Sequence, residues 1–269
     1  MLERPFGPTG RRKRKNLSLL FNLCGHEYLP YLAIQRHILT RGRRRSTRTG
    51  NILLGVATTT DYQELLDYRR SVSSMYAGAR GETVGSPPDA AARCEQFRAE
   101  RDDLFEHHPQ SPLARAELKR FAGLDYFDYD PSLRFALPVE YDIDEGDLEI
   151  TLQDDGPLRL RRFGRVRFSV EGEEYALSLF WISGYGGGIL LPFRDQTGTG
   201  ETYGGGRYLL DTIKHADLGT ENGDLVIDFN YAYNPSCAYD PSWHCPLAPP
   251  ENNVPVRIAA GEKRYGGQA

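Results

Sequence analysis

The period of apolar and polar positions changes once along this chain. In residues 61–75, Leu65, Tyr68, Val72 and Met75 recur near helical spacing and Asp61 stands where a capping carboxylate belongs, so the stretch predicts a helix. A second helix is predicted over residues 88–105, with Asp89 in its first turn and Cys94, Phe97, Arg101 and Leu104 on one face. Between them, "GARGETVGSPP" reads as a linker by composition. Ser111 and Pro112 read as the cap and first residue of a third helix that runs to Phe121, with Gly123 as its stop.

From Leu137 onward the period shortens to two. Candidate strands are residues 137–141, 148–152, 158–163, 166–170, 175–182, 189–193, 207–210, 225–230 and 254–259, many separated by short turns such as "DEGD" and "ENGD". "RLRRFGRVRFSV" alternates in the manner of a strand with one wet face. Helices first and strands after give an α+β class: N-terminal helices followed by an antiparallel β-barrel or sandwich of eight to nine strands.

Charge divides the chain more sharply than hydropathy does. Residues 1–57 carry a net charge of +10 and residues 58–269 one of −14. The expected organisation is a basic, disordered extension over 1–57, a helical segment over 58–124 and an antiparallel β domain over 125–269, with 58–269 as one structural unit. The acidic body should repel phosphate backbones, which excludes nucleic-acid binding by it, and its surface would suit a high-salt cytoplasm.

The extension contains "RRKRK", a short apolar run and Cys24. His26, Glu27 and Pro30 interrupt that run, so no transmembrane segment is expected. It is half of a signal peptide, with Leu23 where a lipoprotein would carry a small residue. A basic arm for nucleic acid or anionic lipid is a further option, as is translation starting near Val56. A cytoplasmic location is the expectation, with secretion through this segment left open.

Candidate chemistry concentrates in two blocks. "FRDQTGTGETYGGGRYLLD" gathers Arg194, Asp195, Thr202, Tyr203 and Arg207 on glycine-loosened backbone. "DFNYAYNPSCAY" adds Asp228, Asn230 and Asn234; on a strand, Asp228 and Asn230 would share a face, and a buried Asp there needs a partner such as Arg194 or Arg207. "YGGG" occurs twice, at Tyr185 and Tyr203, as two tight turns or as the frame of a pocket mouth. No P-loop, Rossmann glycine pattern or hydrolase elbow is present, no cofactor is implied, and whether the protein is an enzyme stays open.

Taken in order, "HPQSPL", "FAGLDYFDYDPSLR", "FWISGYGGGILLPFRDQTGTGETYGGGRYL" and "LVIDFNYAYNPSCAYDPSWHCPLAPPENNVPVRIAAGEK" resemble the Domain of Unknown Function 1684 family over residues 97–263. The resemblance implies that these blocks form one unit; it implies no reaction.

Cys237 and Cys245 flank "AYDPSWH". Metal ligands, a disulfide, a nucleophile paired with His244 and buried free thiols all remain open for them. The expected function is a polar pocket that binds, or acts on, a small polar or anionic molecule through Arg194, Asp195, Tyr203, Arg207, Asp228 and Asn230. The alternatives are a structural or interaction domain in which the same residues satisfy one another, and a metalloprotein using the two cysteines.

Overall fold

The computed structural model describes residues 59–144, 146–152 and 156–266. The expectations for the basic extension and Cys24 lie outside these residues.

Helices α1 (Thr59–Ala79) and α2 (Ala90–His107) pack against one another. Asp89 caps α2 by accepting the Ala92 N–H at 2.8 Å. The connecting residues are a pinned turn and not a loose linker. Arg93 donates to the carbonyls of Ala79, Pro87 and Pro88 at 3.1, 3.1 and 2.9 Å, which satisfies a carbonyl that the end of α1 leaves without a partner. The expected α2 face is correct: Cys94, Phe97, Arg101, Leu104 and Phe105 are buried. The third helix shrinks to one turn, α3 (Arg115–Leu118). Ser111 does not cap it. Its hydroxyl donates to the Phe105 carbonyl at 2.6 Å, so it closes the end of α2.

The strands are β1 (Arg134–Leu137), β2 (Gly146–Leu152), β3 (Gly156–Val170), β4 (Glu173–Ile182), β5 (Gly188–Phe193), β6 (Arg207–Asp211), β7 (Thr220–Glu221) and β8 (Asp224–Asp228). They form two antiparallel sheets among the described residues, in the orders β1–β8–β7 and β2–β3–β4–β5–β6. The barrel alternative is therefore corrected. Closure requires the outer strands of a sheet to hydrogen-bond to each other, and β2 and β6 do not. The arrangement is sandwich-like α+β.

Residues 158–163 and 166–170 are one strand, β3, interrupted by a bulge between Arg162 and Gly164. The bulge has a packing consequence. Before it, Leu158 and Leu160 pack with Phe180, Ile182, Leu190 and Tyr208. After it, Val166 and Phe168 pack with Leu177, Leu179, Leu191 and Phe193 in the main core. Directly opposed residues share a sheet face, and Leu179 and Phe180 on unbulged β4 point to opposite faces. The long β3–β4 hairpin thus buries one face along half its length and the other face along the rest.

Residues 254–259 were expected to be a strand. They alternate buried and exposed as a strand would, and Val254, Val256 and Ile258 enter the main core. They form no ladder, because their backbone partners are the turn after β5: Val254 N–H donates to the Arg194 carbonyl at 2.8 Å and Gln196 N–H to the Val256 carbonyl at 3.0 Å. The helices join the smaller sheet through a second cluster, in which Met75, Tyr76 and Phe97 meet Val226 and Tyr231.

Gly261 holds the end of this crossing. Its φ is +74°, and a Cβ there would lie 2.6 Å from the Ala232 carbonyl oxygen and 2.7 Å from that of Phe229. Gly261→Ala is expected to cost about 2–4 kcal/mol, from left-handed strain plus displacement of rigid backbone. Urea denaturation should show this as a lower midpoint with an unchanged slope.

Candidate functional site

Asp195 follows β5 and Arg207 opens β6, so a hairpin brings them face to face. Arg207 Nη2 donates to Asp195 Oδ1 at 3.2 Å, with both side chains almost wholly buried, at 1% and 2% exposure. The same guanidinium donates to the carbonyls of Ile258 at 3.2 Å, Glu262 at 3.3 Å and Ala260. Asp195 in turn accepts the Ile258 N–H at 2.8 Å and caps a 3₁₀ turn through the N–H and hydroxyl of Thr197. Because the Thr197 hydroxyl donates to a carboxylate, Thr202 must donate to Thr197 across their 2.8 Å contact. Burial pulls Arg207 below the usual guanidinium range and the Asp195 charge opposes it. Gly206 permits this close fit, with φ +95° and space for a Cβ only 2.5 Å from the Phe193 carbonyl oxygen.

A second buried network centres on Glu262, which no sequence motif marks. Glu262, 1% exposed, accepts from Arg101 Nη2 at 3.3 Å, from the Asn234 N–H at 3.1 Å, from Asn234 Nδ2 at 3.0 Å and from the Tyr239 hydroxyl. Arg101 also donates to Tyr239 Oη at 3.1 Å and lies 4.6 Å from the Phe105 ring centroid. Burial works against the Arg101 charge, yet the surrounding phenols and Glu262 hold it well above its ordinary value. An arginine on the apolar face of α2 was the available signal that an acid waits opposite.

Asp228 ends β8 and does not pair with Arg194 or Arg207, which corrects the expected partnership. The strand stops at Asp228 and the chain turns through a 3₁₀ segment, Phe229–Tyr231. Asp228 caps that turn by accepting the Asn230 N–H at 2.9 Å and Asn230 Nδ2 at 2.8 Å. Asn230 also exchanges two 2.8 Å bonds with the backbone of Asp130. The nearest basic group is Arg134 Nε, 3.9 Å away. Burial raises the Asp228 pKa, against the bonds from Asn230. Beside Asp228 opens a cleft of about 480 Å³, lined by Arg80, Arg93, Asp217, Arg134, Glu221 and Tyr231 among others. Of the eight candidate ligand-binding residues, only Asp228 lines it. Arg194 lies at a different place, where its backbone pairs with Asn252 and Val254.

Cys237 stands on a 3₁₀ turn, Ser236–Ala238. Cys237 and Cys245 are half-buried thiols with no disulfide between them. The Tyr203 hydroxyl contacts Cys237 Sγ at 3.6 Å. Among the described residues no three His, Cys, Asp or Glu side chains gather as a metal-binding group, so the pair stands without the further ligands that a zinc site needs.

The model of the family described as Protein of unknown function (DUF1684) matches residues 119–263, just over half of the chain. The chain belongs to the DUF1684 family. No curated protein matches it. A similar solved structure is the solution NMR structure of the uncharacterized protein from gene locus rrnAC0354 of Haloarcula marismortui. It is 31% identical, with 65% of this chain and 94% of that chain covered and a TM-score of 0.46.

The DUF1684 match contains Arg194, Asp195, Thr202, Tyr203, Arg207, Asp228, Asn230, Asn234, Cys237, Cys245 and Glu262, but not Arg101. The family region thus supplies the acid of the second network, and α2, which precedes the match, supplies the base. Among the described residues no helix is long and apolar enough to cross a membrane.

Proposed function

We propose that this DUF1684 protein binds a small polar or anionic molecule in the cleft between the α1–α2 turn and the three-stranded sheet. The observation that carries this reading is the cleft itself. Its volume of about 480 Å³ falls within the roughly 300–1,000 Å³ usual for small-molecule sites. Arg80 comes from the α1–α2 turn, Arg93 from the first turn of α2, Arg134 from β1, and Asp228 supplies a carboxylate on the opposite strand. Arg80 is tied to Glu82 and the Asp217 carbonyl, and Arg134 to Glu221. A ligand therefore exchanges these bonds for its own, which favours a molecule with an anionic group and hydrogen-bonding groups over an apolar one. A net charge of −14 over residues 58–269 disfavours a nucleic acid.

The second reading is a structural or interaction domain, favoured by the burial of the Arg207–Asp195 and Arg101–Glu262 pairs. The two readings differ in a thermal-shift screen with inorganic phosphate, small dicarboxylates and polyols. A ligand held at 100 times its Kd should add about 2.7 kcal/mol of stability. Arg134→Gln and Asp228→Asn should fold and lose that gain. If no compound raises the melting temperature, or if both variants keep the full shift, the cleft is not a binding site and the structural reading stands.

A further inference from the structure

The cleft beside Asp228 carries charges of both signs, and most of them are already engaged. Arg80 Nη2 donates to Glu82 Oε2 at 2.8 Å, and Arg134 grips Glu221 with both of its Nη groups. Asp217 Oδ1 accepts the Gly219 N–H at 2.8 Å. One cation and one carboxylate oxygen are left over. The cation is Arg93. Its Nε and Nη1 serve the carbonyls of Ala79, Pro87 and Pro88. Among the described residues its Nη2 has no hydrogen bond and no carboxylate lies within ion-pair distance of it.

The carboxylate oxygen belongs to Asp228, which is 3% exposed. Its Oδ1 takes both bonds from Asn230, at 2.9 and 2.8 Å. Its Oδ2 takes none among the described residues, because the nearest cation, Arg134 Nε, stops at 3.9 Å, beyond hydrogen-bond reach. The fold maintains that gap. Register sets Arg134 on β1 opposite Asp228 on β8, while Glu221, one strand further on β7, holds the far end of the same guanidinium. Oδ2 is not sealed off, so it opens on the cleft that Asp228 lines. An oxygen this deep lacks the full hydration of an exposed carboxylate, so a cationic N–H that reaches it makes a strong, charge-assisted bond.

We propose that the ligand of this cleft is a zwitterion, whose cationic nitrogen donates to Asp228 Oδ2 and whose anionic group accepts from Arg93 Nη2. This rests on the cleft being a ligand site and names the class of molecule it takes. A purely anionic molecule satisfies Arg93 but faces Asp228 with a like charge, and a simple amine does the reverse. A zwitterion meets both without disturbing the Arg80–Glu82 and Arg134–Glu221 pairs. Ala79, Leu218 and Val226 add apolar wall to the same cleft, which suits a short carbon skeleton joining the two charged ends.

The test is titration calorimetry on the full-length chain with matched pairs of probes. ω-Amino acids from glycine to 6-aminohexanoate are compared with the carboxylates that carry a methyl group in place of the amine, and 2-aminoethyl phosphate with ethyl phosphate. At least one zwitterion should bind about 10–100-fold tighter than its amine-free partner, the usual worth of a hydrogen bond to a charged group. Asp228→Asn, which keeps an oxygen for the Asn230 N–H, should erase that preference. If amine-free anions bind and no zwitterion binds tighter than its partner, this inference is overturned while the cleft stands as an anion site. If none of these probes binds and inorganic phosphate gives no thermal shift, the cleft is no ligand site and both fall. A folded Asp228→Asn protein that keeps the preference also overturns the assignment. The paired comparison uses the wild-type chain, so it decides the matter even if that variant fails to fold.

Discussion

Arg207→Met is expected to lower the unfolding free energy by about 3–5 kcal/mol, the usual consequence of removing one partner from a buried ion pair. Three things fail together. Asp195 loses its cationic partner, the carbonyls of Ile258, Ala260 and Glu262 lose their donor, and the methionine brings only apolar volume. Arg207→Lys should recover little of the loss, because one ammonium on a flexible stem cannot replace a planar fork that reaches a carboxylate and three carbonyls. Adding Asp195→Asn to Arg207→Met should cost less than the sum of the single changes, since no charge is then stranded. Urea denaturation of the wild type, the three single variants and the double variant measures this. A loss under about 1 kcal/mol for Arg207→Met would show that the pair contributes little to stability.

Glu262→Leu is the second large effect expected, also about 3–5 kcal/mol. It leaves the Arg101 guanidinium buried with the Tyr239 hydroxyl as its one remaining hydrogen-bond partner, and it strips Asn234 of two acceptors. Glu262→Gln should lose less, because it keeps an oxygen for Tyr239 and Asn234 while giving up the charge. Since α2 provides Arg101, the damage should reach α2 as well as the sheet. Amide hydrogen exchange of residues 97–105 should accelerate in Glu262→Leu. Exchange confined to the sheet would mean that the Arg101–Glu262 contact does not couple the helix to it.

What could be read in advance depended on the range of the interaction. The α2 face was legible because Cys94, Phe97, Arg101 and Leu104 obey a local period. The family was legible because its blocks run in order. Ser111–Pro112 misled because a serine hydroxyl that can open one helix can equally close the preceding one, and only the contact with Phe105 decides between them. Asp228 suggests a distant arginine partner by its burial, whereas Asp-Phe-Asn is a local turn signal, an Asx cap two residues long. Arg207–Asp195 spans one hairpin, whereas Arg101–Glu262 spans 161 residues, and no period or motif encodes such a pairing. The cysteines stood out at once by their spacing.

The crossing that ends at Gly261 also sets an order of events during synthesis. The carbonyls that receive Arg207 belong to Ile258, Ala260 and Glu262, and the carboxylate that receives Arg101 is the Glu262 side chain. A ribosome makes both arginines long before it makes these three residues. Until residue 262 has left the exit tunnel, α2 and β6 each hold a cation without its full set of acceptors, so completion of the fold must wait for the end of the segment. Nascent chains stalled before residue 258 should therefore remain protease-sensitive across α2, and chains released past residue 262 should become resistant.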